Sequence, residues 1–155
     1  MSEVVVRQAG EVTGWLAEQV GRLVPQLSST AAVPSLEQLA DIASSPGSVL
    51  FLAFLSETAA GAPSTDLAGM LTLVTYRIPT GLHAVIEDVV VDENLRGGGA
   101  GSALVKAALV EATRRGARNV DLTSRPTRED ANRLYTKLGF VKRETNVYRY
   151  SLTGG

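Results

Sequence analysis

Apolar positions change their spacing several times along the chain, and each change marks an element. Residues 2–7 are rich in β-branched side chains and read as a short strand. From Glu11 to Leu27 the period is helical, with Val12, Trp15, Leu16, Gln19, Val20 and Leu23 near one face, so Trp15 and the stripe around it are expected in the core. Ser28-Ser29-Thr30 and Pro34 break that pattern. Ser35 with Gln38 three residues on has the form of a capping box, opening a short helix through Ile42 and Ala43. Ser44-Ser45-Pro46-Gly47 is a turn. Val49–Leu55 and Leu67–Tyr76 are strands, with the small polar stretch 57–66 as the hairpin loop between them.

Pro79-Thr80-Gly81 makes the next turn, before a strand from His83 to Val91. A glycine-rich stretch, Leu95–Gly101, leads into a helix from Ser102 to Arg115, with Ala103, Leu104, Ala107, Ala108 and Val110 on one side and Gly116 as its stop. Asn119–Thr123 is strand-like, and Thr127–Leu138 is a helix ended by Gly139. Phe140–Leu152 reads as two last strands joined near 144–146. The order is β-α-α-β-β-β-α-β-α-β-β. It predicts one α/β domain over 1–155, with a mixed, mostly antiparallel central sheet flanked by about four helices.

Composition narrows the chemistry. At 155 residues the chain can bury a full core without metals or disulfides. It has no Cys, which excludes thiol catalysis and cysteine-bound zinc, and its one His leaves no cluster for a typical catalytic metal, so none is expected. It has no apolar run of about 18 residues and no charged-then-apolar leader, which predicts neither a membrane span nor a signal and points to the cytoplasm. Net charge is −1, which argues against nucleic acid. The halves differ, however. Residues 1–91 hold three basic and nine acidic side chains and net −6, while 92–155 hold twelve and seven and net +5. Such asymmetry suits an anion on the second half and a cation near the first.

The glycine stretch is where that anion belongs. A strand ending Val89-Val90-Val91-Asp92 runs through Arg96-Gly97-Gly98-Gly99-Ala100-Gly101-Ser102 into a helix. Glycine permits the tight turn and removes the Cβ atoms that would hold a ligand off the amides. The first helix amides lack intrahelical partners and the dipole is positive there, which makes a phosphate site. No acidic residue occurs from Asn94 through Val110, and Arg96 stands at the entrance. A P-loop would need a Lys after the last glycine, and none follows Gly101. The dinucleotide fingerprint gains Gly99, Gly101 and Asp121 but places Leu104 at its third glycine, and antiparallel-looking strands precede it.

The pattern Arg/Gln-x-x-Gly-x-Gly/Ala is met by Arg96, Gly99 and Gly101, and here the chain resembles the GNAT acetyltransferase superfamily. The strand Ile86–Asp92 before the turn and the segment Ala131–Phe140, which looks like the family's second signature, extend the likeness. It is strong over 82–143, the expected coenzyme A-binding core, and thin before residue 48, where 1–47 would be the variable acceptor side. The resemblance implies acetyl-CoA as co-substrate and a small-molecule or peptide primary amine as acceptor. It places Val89, Val90 and Val91 along the pantetheine, the turn Arg96–Ser102 on the diphosphate, Asn132 facing the coenzyme chain and Tyr135 near its sulfur.

Acyl transfer to an amine needs a neutral nucleophile, a stabilised carbonyl oxygen and a proton for the departing thiolate. With no Cys and no Ser/His/Asp arrangement, direct attack in a ternary complex is the economical route. Tyr135 is the candidate acid, its phenol being protonated at neutral pH and on the helix face of Asn132. A ring packed under Gly139-Phe140 is the plainer reading of Tyr135. Glu87 is the candidate base. It and Asp88 interrupt an apolar strand and should point to opposite faces. The resemblance, whose members carry a Glu near the acceptor amine here, implies Glu87, which partial burial would suit to the task. One surface carboxylate with the other paired to an Arg is the plainer reading. Arg125, Arg128 and Arg133 are offered as screens for the adenosine phosphates, and solvated helix arginines explain them nearly as well. His83, near a hairpin, reads as surface structure. Tyr148–Leu152 could present an edge to a second copy and leaves room for a homodimer. Two other readings stay open: a non-catalytic acyl-CoA sensor or interaction module, and a dinucleotide-binding domain.

Overall fold

Backbone pairing begins at Val4. In the computed structural model, which describes residues 3–55 and 66–153, β1 (Val4–Gln8) runs antiparallel to β2 (Ser48–Leu55), with Val6 opposite Ala53. Then come β3 (Leu67–Ile78) and β4 (Gly81–Val91), each antiparallel to its predecessor, and β5 (Val120–Asp121), which joins β4 in parallel. The strands lie in the sheet in chain order. The expected α/β class with a mostly antiparallel sheet and four helices is therefore present. The hairpin loop read over 57–66 lies outside the described residues up to 65.

The chain divides into two compact units, Met1–Leu122 and Thr123–Gly155. In the first, α1 (Gly14–Leu27) starts three residues later than its apolar period suggests. Thr13 is the cap, its Oγ1 accepting from the Leu16 amide at 3.2 Å. For α2 (Leu36–Ser44) the capping box is complete: Ser35 Oγ accepts from the Gln38 amide and Gln38 Oε1 from the Ser35 amide. Leu16, Val20, Leu23 and Val24 of α1 and Leu39 of α2 form one core cluster with Leu50, Leu52, Leu67, Met70 and Val90. Trp15 is not part of it. The residue is 41% exposed and its ring stacks on Phe54, because one helical step away from Leu16 leaves it at the margin of the buried line.

The opposite face of the sheet receives α3 (Ala100–Arg115), which packs on β1 to β4. It buries Ala100, Leu104, Val105, Ala108, Glu111 and Ala112. Val110, expected among them, is 70% exposed, since two residues beyond Ala108 the helix has turned past its far side. With helices on both sides, β2 is buried almost throughout, as its unbroken apolar run requires. At its C-terminal end α3 is held by Glu111, which takes Arg114 at 2.5 Å and Arg115 at 2.9 Å, while Arg115 Nη1 donates to the Pro46 carbonyl and to Thr75 Oγ1. Those guanidinium bonds, Arg114 foremost, outweigh burial and bring the Glu111 carboxyl down to about 2.

The second unit holds α4 (Glu129–Lys137), with Glu129 and Asp130 in its first turn and Lys137 in its last, complementing the helix dipole. The two strands expected over 140–152 are not formed: among the described residues no strand follows α4. Val141, Val147, Tyr148, Tyr150 and Leu152 are 74–90% exposed. Their residue types favour strands only where a neighbouring strand completes the ladder, and this segment makes no ladder bonds. The edge expected of Tyr148–Leu152 is absent with them. No helix of the described residues is long and apolar enough to cross a membrane.

Candidate functional site

The distinctive part of β4 is a bulge. Met70 pairs with Val90 and Thr72 with Glu87, so Leu71 alone stands opposite Asp88 and Val89. Asp88 absorbs the extra residue at φ 51°, a left-handed conformation that Asp tolerates better than most. Glu87 and Asp88 were expected on opposite faces of a regular strand, but the bulge makes Asp88 the inserted residue. Directly paired residues share a face, so the register Glu87–Thr72–Leu50 puts Glu87 on the side where Leu50 meets α1 and α2. Glu87 is exposed there, and the partial burial expected of it is not found.

Beyond the β5 ladder the margin of β4 has no strand partner among the described residues. The ladder with β5 covers Ala84 and Val85 only, and no other strand borders Ile86–Val91 on that side among the described residues. The Asp92 amide donates to the Ala68 carbonyl at 2.8 Å, toward β3. By strand alternation the N–H and C=O of Val91 therefore point the other way, into the gap. Val90 is buried against α1, and Val89 and Val91 are half-buried.

After Asp92 come a 3₁₀ turn, Glu93–Leu95, and the glycines. Gly97 (φ 86°) and Gly99 (φ 88°) are left-handed, and a Cβ at Gly97 would meet nothing within 4 Å. Gly99 is the N-cap of α3 and brings no side-chain cap. The first intrahelical bond is from the Ala103 amide to the Gly99 carbonyl, so the amides of Ala100, Gly101 and Ser102 precede the ladder. No acidic residue lies in the first turn, and Arg96 and Gly97–Gly99 are exposed. Bare amides, open space where a Cβ of Gly97 would stand and a cation beside them fit a diphosphate.

The junction between β4 and this turn is held by α1. Asp92 is only 4% exposed, and its Oδ2 accepts from Arg22 Nη1 while Oδ1 accepts from the Asn94 amide at 3.0 Å. Arg22 Nη2 also donates to the Leu67 carbonyl (2.6 Å) and to Gln19 Oε1 (3.0 Å). Gln19 Oε1 accepts from the Leu67 amide at 3.1 Å, and one further turn along α1 Gln26 Oε1 accepts from the Glu93 amide at 2.9 Å. Burial pushes the Asp92 carboxyl up, but the Asn94 amide and the Arg22 guanidinium outweigh it and hold the group below the usual carboxylate range. Sequence reasoning missed this set. The signals were Gln19 inside an apolar stripe and Arg22 as the lone basic residue of its helix in an acidic half.

In the second unit Tyr135 is 7% exposed, and burial pushes its phenol up against a smaller opposing effect of Arg128. Its ring meets Phe140 edge-on at 5.8 Å, the packing that the plainer reading expected, and its hydroxyl makes no hydrogen bond among the described residues. Asn132 Nδ2 donates to the carbonyls of Arg125 (2.9 Å) and Arg128 (2.8 Å), closing the turn before α4. Arg133 pairs with Asp130 on the exposed side of the helix. His83 stacks on Tyr76 and bonds Thr80 Oγ1 at 2.9 Å, which is surface structure as expected.

The class to which this mostly antiparallel sheet and its four helices belong comes from comparison with known proteins. The model of the acetyltransferase (GNAT) family matches residues 18–140, and the chain belongs to that family. Among solved structures, an aminoglycoside acetyltransferase from an uncultured soil metagenomic sample, in complex with trehalose, is similar with a TM-score of 0.81 at 19% identity over 97% of each chain. An acetyltransferase of Trypanosoma brucei is 26% identical, with a TM-score of 0.72 over 97% of this chain and 100% of its own. The aminoglycoside N-acetyltransferase AAC(6')-Iy in complex with CoA gives 0.77 at 16% identity, over 99% of this chain and 97% of its own. No curated protein is similar enough in sequence to match.

Proposed function

We propose that this family member transfers an acetyl group from acetyl-CoA to a primary amine, on a small molecule or a peptide, by direct attack in a ternary complex in the cytoplasm. The observation that carries the reading is the trio of bare amides at Ala100, Gly101 and Ser102, behind left-handed Gly99 and beside exposed Arg96. These residues, with Gly97 and Gly98, would hold the diphosphate. The gap-facing main chain of Val91, with Val89 and Val90, would pair with the amide-bearing pantetheine. Acetyl-CoA, when bound, supplies an electrophilic thioester carbonyl and a thiolate leaving group. A relative of the same fold was solved with CoA, which supports that donor.

Glu87 takes the proton from the attacking amine, directly or through one water; its exposure on the α1 and α2 side leaves its carboxylate open to solvent. Tyr135 donates its phenolic proton to the departing sulfur. Burial keeps that proton in place at neutral pH, and the hydroxyl has no competing partner among the described residues. An amide facing the β4 gap would steady the carbonyl oxygen as charge develops. Asn132, whose amide closes the turn before α4, would keep that helix start in shape beside the coenzyme chain. The acidic first half favours a cationic acceptor. Coenzyme A consumption measured across an amine library that includes peptides tests the reading. Turnover with at least one amine is expected, and a chain that binds coenzyme A yet acetylates none would instead be a sensor.

A further inference from the structure

Resting on the coenzyme reading above, we infer that Arg22 is a positioning residue for the coenzyme turn, acting from α1 through Asp92. Gln19, Arg22 and Gln26 follow one another at helical spacing and form a polar rail on α1. Each bonds main chain or a buried carboxylate at the ends of β3 and β4: Gln19 the Leu67 amide, Arg22 the Leu67 carbonyl and Asp92, Gln26 the Glu93 amide. Asp92 is the last residue before the turn. Three of its groups are fixed at once, the amide by Ala68, one carboxylate oxygen by Asn94 and the other by Arg22. Between Asn94 and the start of α3 the chain is mostly glycine and exposed, so little else in that stretch dictates where the bare amides stand. The rail supplies what the glycines cannot.

A general contribution to folding would look different from this role. Breaking a buried ion pair destabilises any protein. Glu111 offers the comparison: it is buried, paired with two arginines, and sits at the other end of α3. In R22M and in the isosteric D92N, the Kd for coenzyme A and the KM for acetyl-CoA should rise about tenfold, as when other outer partners of binding groups are removed. The kcat at saturating donor should change by less than about threefold. R22K, which keeps the charge, should recover part of the affinity. E111Q should lower the melting temperature and leave the coenzyme Kd unchanged. Should R22M fail to fold, D92N carries the same comparison.

Calorimetric titration with coenzyme A, well below each variant's melting temperature, gives the answer. Folded R22M or D92N with wild-type Kd would overturn the positioning role and leave the coenzyme reading intact. A wild-type chain with no affinity for coenzyme A would overturn both. Equal losses of affinity in E111Q and R22M would reduce Arg22 to a stabilising residue and overturn the inference.

Discussion

Glu87 and Val90 stand three residues apart on one strand and face the same side of the sheet. A regular strand would put them on opposite sides; the residue inserted at Asp88 reverses the parity between them. Val90 thus fills the core under α1 while Glu87, on that same side, stays exposed.

Glu87→Gln should lower kcat by about 10²-fold with coenzyme affinity unchanged, the range usual for a lost general base. Asp88→Asn suits the left-handed position equally well and should stay within about twofold of wild type. Steady-state kinetics on the two variants decides between the adjacent carboxylates, and the reverse ranking would reassign the base.

Gly99→Ala should cost about 1–2 kcal/mol of stability, because its φ of 88° strains any L side chain although a Cβ would make only an ordinary contact with Val4 Cγ2 at 4.0 Å. Gly99→Glu adds a negative charge at the start of α3 and should abolish coenzyme A binding. Urea unfolding and calorimetric titration separate the two effects. Unchanged affinity in Gly99→Glu would count against the site.

Tyr135→Phe keeps the ring against Phe140 and removes only the hydroxyl. Turnover should fall by about 10²-fold with coenzyme A affinity near normal. Equal rates would leave Tyr135 with packing alone.

Acid should weaken the fold through Glu111 and Asp92, whose carboxyls sit below their ordinary values when folded. The Glu111 contribution is full above its ordinary value of 4.5 and drains away as pH falls toward about 2, because the unfolded chain takes up the proton first. Unfolding free energies from pH 7 to 2 should fall with decreasing pH. Glu111→Gln should show a shallower slope in the acid range.

Much of this fold could be read from spacing alone. The capping box of α2, the buried run of β2 and the glycine turn are local devices, and local chemistry dictates them. Asp88 and Arg22 show where such reading stops. A bulge exists only relative to the partner strand, and Arg22 meets Asp92 across seventy positions of chain. Trp15 and Val110 failed for a smaller reason, since one or two helical steps carry a side chain out of the buried stripe. The residues from 141 to 152 have the composition of strands but no ladder to join. In the candidate site, the turn was legible because consecutive glycines have few other uses, whereas the exposure of Glu87 depended on what α1 and α2 leave uncovered.

The shortness of β5 has a consequence for how such a protein can vary. A partner recognised through peptide groups along the uncovered flank of β4 is indifferent to which side chains the strand carries. With coenzyme A bound there as proposed, mutational drift at those positions would leave donor choice untouched while reshaping what the opposite partner must look like, so new acceptors could be acquired without relearning the cofactor.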